Sequence, residues 1–231
     1  MPRPASNNRL DEPLADRLID AAEVLYATHG LAGASLRQIS AAAGTANNYA
    51  VQYHFGDAAG LVRALLEKRM PELERRRAAL LAQAKAAGLL SDLRTLNEVL
   101  YRPLIEHTNA QGERWFARFV LALFSAPGGL SVASGTEHLA PISEHILDLQ
   151  SEALRTVPAR LLRERHRLIV IMILMSVCNR REPQTDELGT LVVDNAFDMA
   201  TAALSAPVSK SVRTLLKKKL PRSAQRQSSR R

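Results

Sequence analysis

SLRQISAAAGTANNYAVQYHF, from Ser35 to Phe55, holds two short helical patterns separated by a glycine. Ser35 is placed to cap the first. Gln38, three residues on, completes a capping box in which each residue satisfies the other's backbone N–H. Gly44 ends that helix after about two turns, because glycine reaches the left-handed conformation at no steric cost. A second short helix follows from near Asn47 to His54 and stops at Gly56. Such a pair presents a thin second helix, held in place by the first.

Working outward, Leu14, Leu18, Ala21, Ala22 and Leu25 recur at helical spacing, and that helix ends at His29-Gly30. Downstream, Asp57 caps a long helix carrying Leu61, Leu65 and Met70. Its period survives Pro71 through Leu73, Leu80 and Leu81, so the proline bends it instead of ending it. Further helices are expected at about residues 91–107, 113–125, 137–155, 158–179 and 185–204, with a Gly/Ser-rich loop at 127–135. There is neither a strand pattern nor an internal repeat. Aromatics are only 4% of the chain while Ala, Leu and Arg abound, a balance that favours helix. The expected class is all-α.

The net charge of +8 is a local property. Nine of the 31 basic residues lie beyond Ser205, with no acid among them, and the remaining 22 basic residues face 23 acidic ones. A basic total is therefore no argument for nucleic-acid binding by the body of the chain. A single cysteine, Cys178, excludes an intrachain disulfide and fits a reducing, cytoplasmic compartment. The polar, proline-broken start does not read as a signal peptide, and the longest apolar run, Leu168 to Val177, is too short to span a bilayer. No membrane association is expected.

Two short helices joined by a glycine turn and packed on a longer first helix make a helix-turn-helix, whose second helix fits the major groove of DNA. Here the chain resembles the tetracycline-repressor (TetR) family of transcription regulators. The resemblance is carried by Leu18-Ile19-Asp20-Ala21-Ala22, Gly30, Ser35 to Ser40, Ala43-Gly44, Tyr53-His54-Phe55 and Leu61, and it covers residues 14–66. It implies a flexible arm (1–12), a three-helix DNA-binding domain (13–56) and a larger helical effector-binding and dimerisation domain (57–205); the basic, acid-free composition of 206–231 makes that tail expected to be disordered, with a short amphipathic helix through Val212, Leu215 and Leu216 as the rival reading. It also implies a homodimer on a pseudo-palindromic double-stranded operator, released as a repressor by a small, largely apolar effector. No cofactor, metal or catalytic residue is implied.

On this reading Asn47 is the recognition-helix N-cap, and Asn48, Tyr49, Ala50 and Gln52 form the reading face. Asn48 and Gln52 carry amides that match adenine edges. Tyr53, His54 and Arg37 fall at positions that touch phosphates, and Gln38 lies beside them; Val51 and Phe55 are core. The chain departs from the family's pattern in three places: one extra residue between Gly44 and Phe55, Gln52 where an aromatic is usual, and Ala58 where a phosphate-binding lysine is usual. Residues 1–70 hold seven basic and seven acidic residues, so their general attraction to DNA is weak.

In the middle of the chain Met70, Tyr101, Leu104, His107, Trp115, Phe116, Phe119 and Leu123 are the expected lining of an effector pocket. Ile171, Leu174, Met175, Val193 and Phe197, on the last two long helices, are the expected dimer interface. His138 and His145, seven residues apart, are too far apart for a metal pair. The absence of a nucleophile–base spacing argues against an enzyme. Two other readings stay open: an architectural, non-specific DNA-binding protein driven by the tail, and an α-helical enzyme using the central cavity.

Overall fold

The computed structural model describes residues 13–178 and 187–217, and among them every regular element is a helix. Three helices come first: α1 (Leu14–His29), α2 (Leu36–Ala42) and α3 (Ala50–Phe55). α4 (Ala58–Ala86) then runs about 44 Å, unbroken at Pro71, from the first three helices to the far end of the molecule. α5 (Leu93–Glu106) returns along it, followed by α6 (Trp115–Ser125), a single turn α7 (Gly129–Val132), α8 (Pro141–Ala153), α9 (Ala159–Cys178), α10 (Glu187–Ser205) and α11 (Lys210–Lys217). No described helix is long and apolar enough to cross a membrane.

Two of these elements differ from expectation. The stretch expected as one helix from residue 137 is split at Ala140: His138 lies on a 3-10 turn, Glu137–Leu139, and His145 on α8. Pro141 is the reason, since it cannot donate to the preceding turn but suits the first turn of a new helix. The expected loop at 127–135 contains the turn α7.

One core runs through the described chain. Leu18, Ala22 and Tyr26 of α1 meet Ile39, Val51, Leu61 and Leu65, and the same cluster continues through Leu96, Phe116, Phe119, Ile173 and Phe197. Several polar groups are paired within it. Glu74 and Arg77, one turn apart on α4, form a buried ion pair at 2.9 Å. The Glu74 carboxylate also accepts from the Ile142 and Ser143 backbone N–H groups and the Ser143 hydroxyl, and so caps α8 from another helix. Arg77 donates to the Leu100 carbonyl, 2.9 Å away. Deeper in, Gln150 donates to Asn97, which donates to Thr201, tying α8, α5 and α10 together.

His166, on α9, lies 3.5 Å from the Tyr101 hydroxyl, and its Nε2 is buried without a hydrogen-bond partner among the described residues. Burial pushes its pKa down to about 4. The folded chain therefore refuses a proton that the unfolded chain accepts near pH 6.5, and stability is lost as pH falls from 6.5 towards 4. A proton affinity lowered that far corresponds to about 3 kcal/mol. Urea unfolding of the wild type and of His166→Gln at neutral and mildly acidic pH checks this: the variant loses less on acidification.

Candidate nucleic-acid interface

The unit around α2 and α3 is built from its caps. Ser35 Oγ accepts from the Gln38 backbone N–H, and Gln38 Oε1 accepts from the Ser35 N–H at 2.9 Å, so the expected capping box is present. Gln38 thus has its amide oxygen engaged in capping and not aimed outward. Gly44, with φ +74°, turns the chain after α2. Thr45 Oγ1 then accepts from the Asn47 N–H at 3.1 Å, and Asn47 Oδ1 accepts from the Tyr49 N–H at 2.9 Å.

Those two side-chain bonds correct the expected boundary. Asn47 caps the turn at residues 48–49 and not α3 itself, which starts at Ala50 with Tyr49 as its N-cap residue. The side chains of Thr45 and Asn47 satisfy N–H groups that would otherwise start the helix earlier. Ala50 is also corrected: it is buried beside Val51, facing inward. Phe55 is half-buried and packs on the core as expected.

The outward side carries Asn48, Tyr49, Gln52, Tyr53 and His54, all exposed, with Arg37 exposed on α2. Tyr49 and Tyr53 stand one turn apart and are 73% and 84% exposed. The chain has only four tyrosines, and the other two, Tyr26 and Tyr101, are buried. Tyr53 meets the His54 ring edge-on at 5.1 Å. A six-residue helix with one apolar side anchored and an aromatic–amide side in water is suited to contacts with base edges and phosphates.

Nearby cations serve another purpose. Lys68 bridges Asp16 and Asp20 at 3.1 and 2.8 Å, and Arg69 pairs with Asp20 and Glu23. These pairs fasten α4 to α1 and fix the frame that presents α3. They also withdraw two of the unit's few positive charges from the outer surface. Asp57 caps α4 through the Gly60 N–H at 2.7 Å, while Ala58 beside it is exposed. The extra residue after Gly44 lengthens the turn at Thr45 and Ala46 as expected from the spacing, but the Thr45 hydroxyl's bond to the Asn47 N–H was not legible in the sequence.

The other two predicted sites are placed differently. Tyr101, Leu104, Phe116, Phe119 and Leu123 are buried in close packing, with Phe119 against Tyr26 at 6.2 Å and Phe116 at 5.8 Å between ring centres. Met70, Trp115 and His107 are half-buried at its edge; Trp115 donates to Glu113, and His107 lies on Phe116. The two described cavities lie elsewhere, and none of these eight residues lines either. One, about 310 Å³, is formed by residues 124–131 with Arg167; the other, about 320 Å³, lies between the end of α4 and α5, beside Leu80, Val99 and Arg102.

Of the expected dimer residues, Leu174, Val193 and Phe197 are buried within the chain's own core, and Phe197 lies beneath Arg94 and Arg102, whose guanidinium carbons are 5.5 and 5.3 Å from the ring centre. Ile171 is half-buried and Met175 exposed. Among the described residues, the large apolar side chains exposed on these two helices are Leu168 and Met175 on α9 and Leu191 and Met199 on α10. No family model matches this chain, and no curated protein matches it.

Proposed function

We propose that this chain is a homodimeric DNA-binding transcription regulator of the tetracycline-repressor type, acting as a repressor that a small effector releases. The observation that carries the reading is α3 with the turn before it: Ala50 and Val51 bury one side, while Asn48 and Tyr49 of the turn and Gln52 and Tyr53 of the helix stand in water. The helix-turn-helix arrangement is supported by the capping box, the left-handed Gly44 and the ion pairs that fix α1 to α4. Asn48, Tyr49 and Gln52 set sequence preference in this reading; Tyr53, His54 and Arg37 set affinity. Release by an effector rests on the family resemblance.

Selection of bound fragments from random genomic DNA tests this directly, and a pseudo-palindromic consensus is the expected product. With that duplex in hand, Asn48→Ala is expected to lose about 1–3 kcal/mol on the consensus and little on a scrambled duplex. Tyr53→Phe weakens both alike. Equal losses on both duplexes for Asn48→Ala would remove it from the reading face. Failure to enrich any fragment would overturn the assignment. The alternative of architectural, sequence-independent binding draws on the tail and is separated by the same comparison, since it yields no consensus.

A further inference from the structure

No lysine or arginine lies between Arg37 and Arg63, the stretch that holds most of α2, the turn after it and the whole of α3. Its one carboxylate, Asp57, is held by the Gly60 N–H at the start of α4. The outward surface is therefore built from amides and phenols. Four amide side chains lie in the stretch, and the structure separates them into two pairs. Gln38 Oε1 accepts from the Ser35 N–H and Asn47 Oδ1 from the Tyr49 N–H, so both oxygens are committed to the backbone. Asn48 and Gln52, four residues apart, are exposed, and neither side chain makes a hydrogen bond among the described residues. Each keeps its oxygen and its NH2 group free. Ser40 is buried, and the Thr45 hydroxyl is engaged by the Asn47 N–H. His54 packs with the rings of Tyr53 and Phe55 at the end of α3.

We propose that each half-site of the operator is read at adenine·thymine pairs, with Asn48 and Gln52 on adenine and Tyr49 against the thymine methyl. This rests on the reading of the chain as a DNA-binding regulator. The edges of the four bases in the major groove decide it. Guanine presents two acceptors, O6 and N7, whose usual partner is arginine or lysine, and cytosine presents an amino donor that calls for a carboxylate. The surface offers neither. Adenine presents a donor beside an acceptor, N6 and N7, and an amide with both its groups free matches the two at once. Thymine presents a methyl group beside O4, which suits a ring that is apolar on its face and carries a hydroxyl, and Tyr49 is 73% exposed. Arg37 stands apart from this set on α2, the helix that in such a pair crosses the DNA backbone, and serves a phosphate.

The test uses the full chain and the duplex enriched from genomic DNA. Each purine of one half-site is replaced in turn by its 7-deaza form, which removes the N7 acceptor and leaves base pairing intact. The wild type is expected to lose roughly 5- to 150-fold in affinity at one or two adenines and little at any guanine. Asn48→Ala and Gln52→Ala, both at exposed positions and checked by an unchanged melting temperature, each become insensitive at one of those adenines. A variant that merely loosened the turn would lower affinity and keep the sensitivity. Uracil in place of thymine deletes only the methyl group; it is expected to cost the wild type about fourfold at a contacted pair and Tyr49→Ala nothing further. Losses confined to guanines, or absent at every purine, overturn this inference and leave the DNA-binding reading intact, since the enriched duplex is still bound. Adenine losses that persist in both alanine variants overturn the assignment to Asn48 and Gln52, and full tolerance of uracil overturns that of Tyr49. A wild type that enriches no fragment overturns both readings.

Discussion

Glu74→Ala is expected to destabilise the protein by about 3–5 kcal/mol, the cost of breaking a buried ion pair from one side. The carboxylate has four tasks in the structure: it neutralises Arg77, and it accepts from the Ile142 N–H, the Ser143 N–H and the Ser143 hydroxyl. Alanine abandons all four at once. Arg77 keeps only the Leu100 carbonyl, and burial already lowers the proton affinity of its guanidinium. The start of α8 loses its cap as well, since Ala140 has no side chain to supply one. Urea unfolding at neutral pH measures the loss. Glu74→Leu with Arg77→Met is expected to be milder than Glu74→Ala, because it removes the stranded charge together with its partner. A single-variant loss below about 1 kcal/mol would show that the pair is wet and inexpensive to break.

That pair was invisible in the sequence, where Glu74 and Arg77 read as ordinary charges on a long helix. Periodicity reports which side of a helix is apolar, not what that side meets. The helices themselves were legible for this reason: Leu18, Ala22, Leu61 and Leu65 had to be buried, and they are. Caps were legible where one residue type at one spacing has a single geometric use, as with Ser35 and Gln38. The start of α3 was not, because Thr45 and Asn47 compete locally for backbone N–H groups that an unbroken helix would use. The aromatic cluster from Tyr101 to Phe119 is a different case. A cavity wall and a close-packed core have the same composition, and only the ring positions separate them. In the tail, nine cations suggested disorder, and the few apolar residues that dock α11 were outweighed by count.

The same ambiguity decides the dimer prediction, because α9 is apolar on two sides. Ile169, Val170, Ile173 and Leu174 face its own chain. Leu168 and Met175, seven residues apart, are exposed, with Ile171 and Met172 half-buried at the edge of the core between them, and Leu191 and Met199 of α10 are exposed as well. The second half of α9, Leu168 to Val177, is apolar on nearly every side, as a helix within a core is, and a single copy leaves part of it exposed. In the proposed homodimer a second copy on the two-fold axis, with α9 and α10 of each chain forming the joint, covers the rest and sets two α3 helices on successive half-sites. Leu168→Glu with Leu191→Glu is therefore expected to give a folded monomer whose affinity for selected DNA falls roughly 100-fold, because bivalent engagement is gone. Val193→Glu serves as the contrast: that residue is buried within one chain, so the variant unfolds instead of dissociating cleanly. Sedimentation velocity at micromolar concentration, with circular dichroism on the same samples, separates the two. A wild type that sediments as a well-folded monomer, or a double variant that remains dimeric, places the joint on another surface.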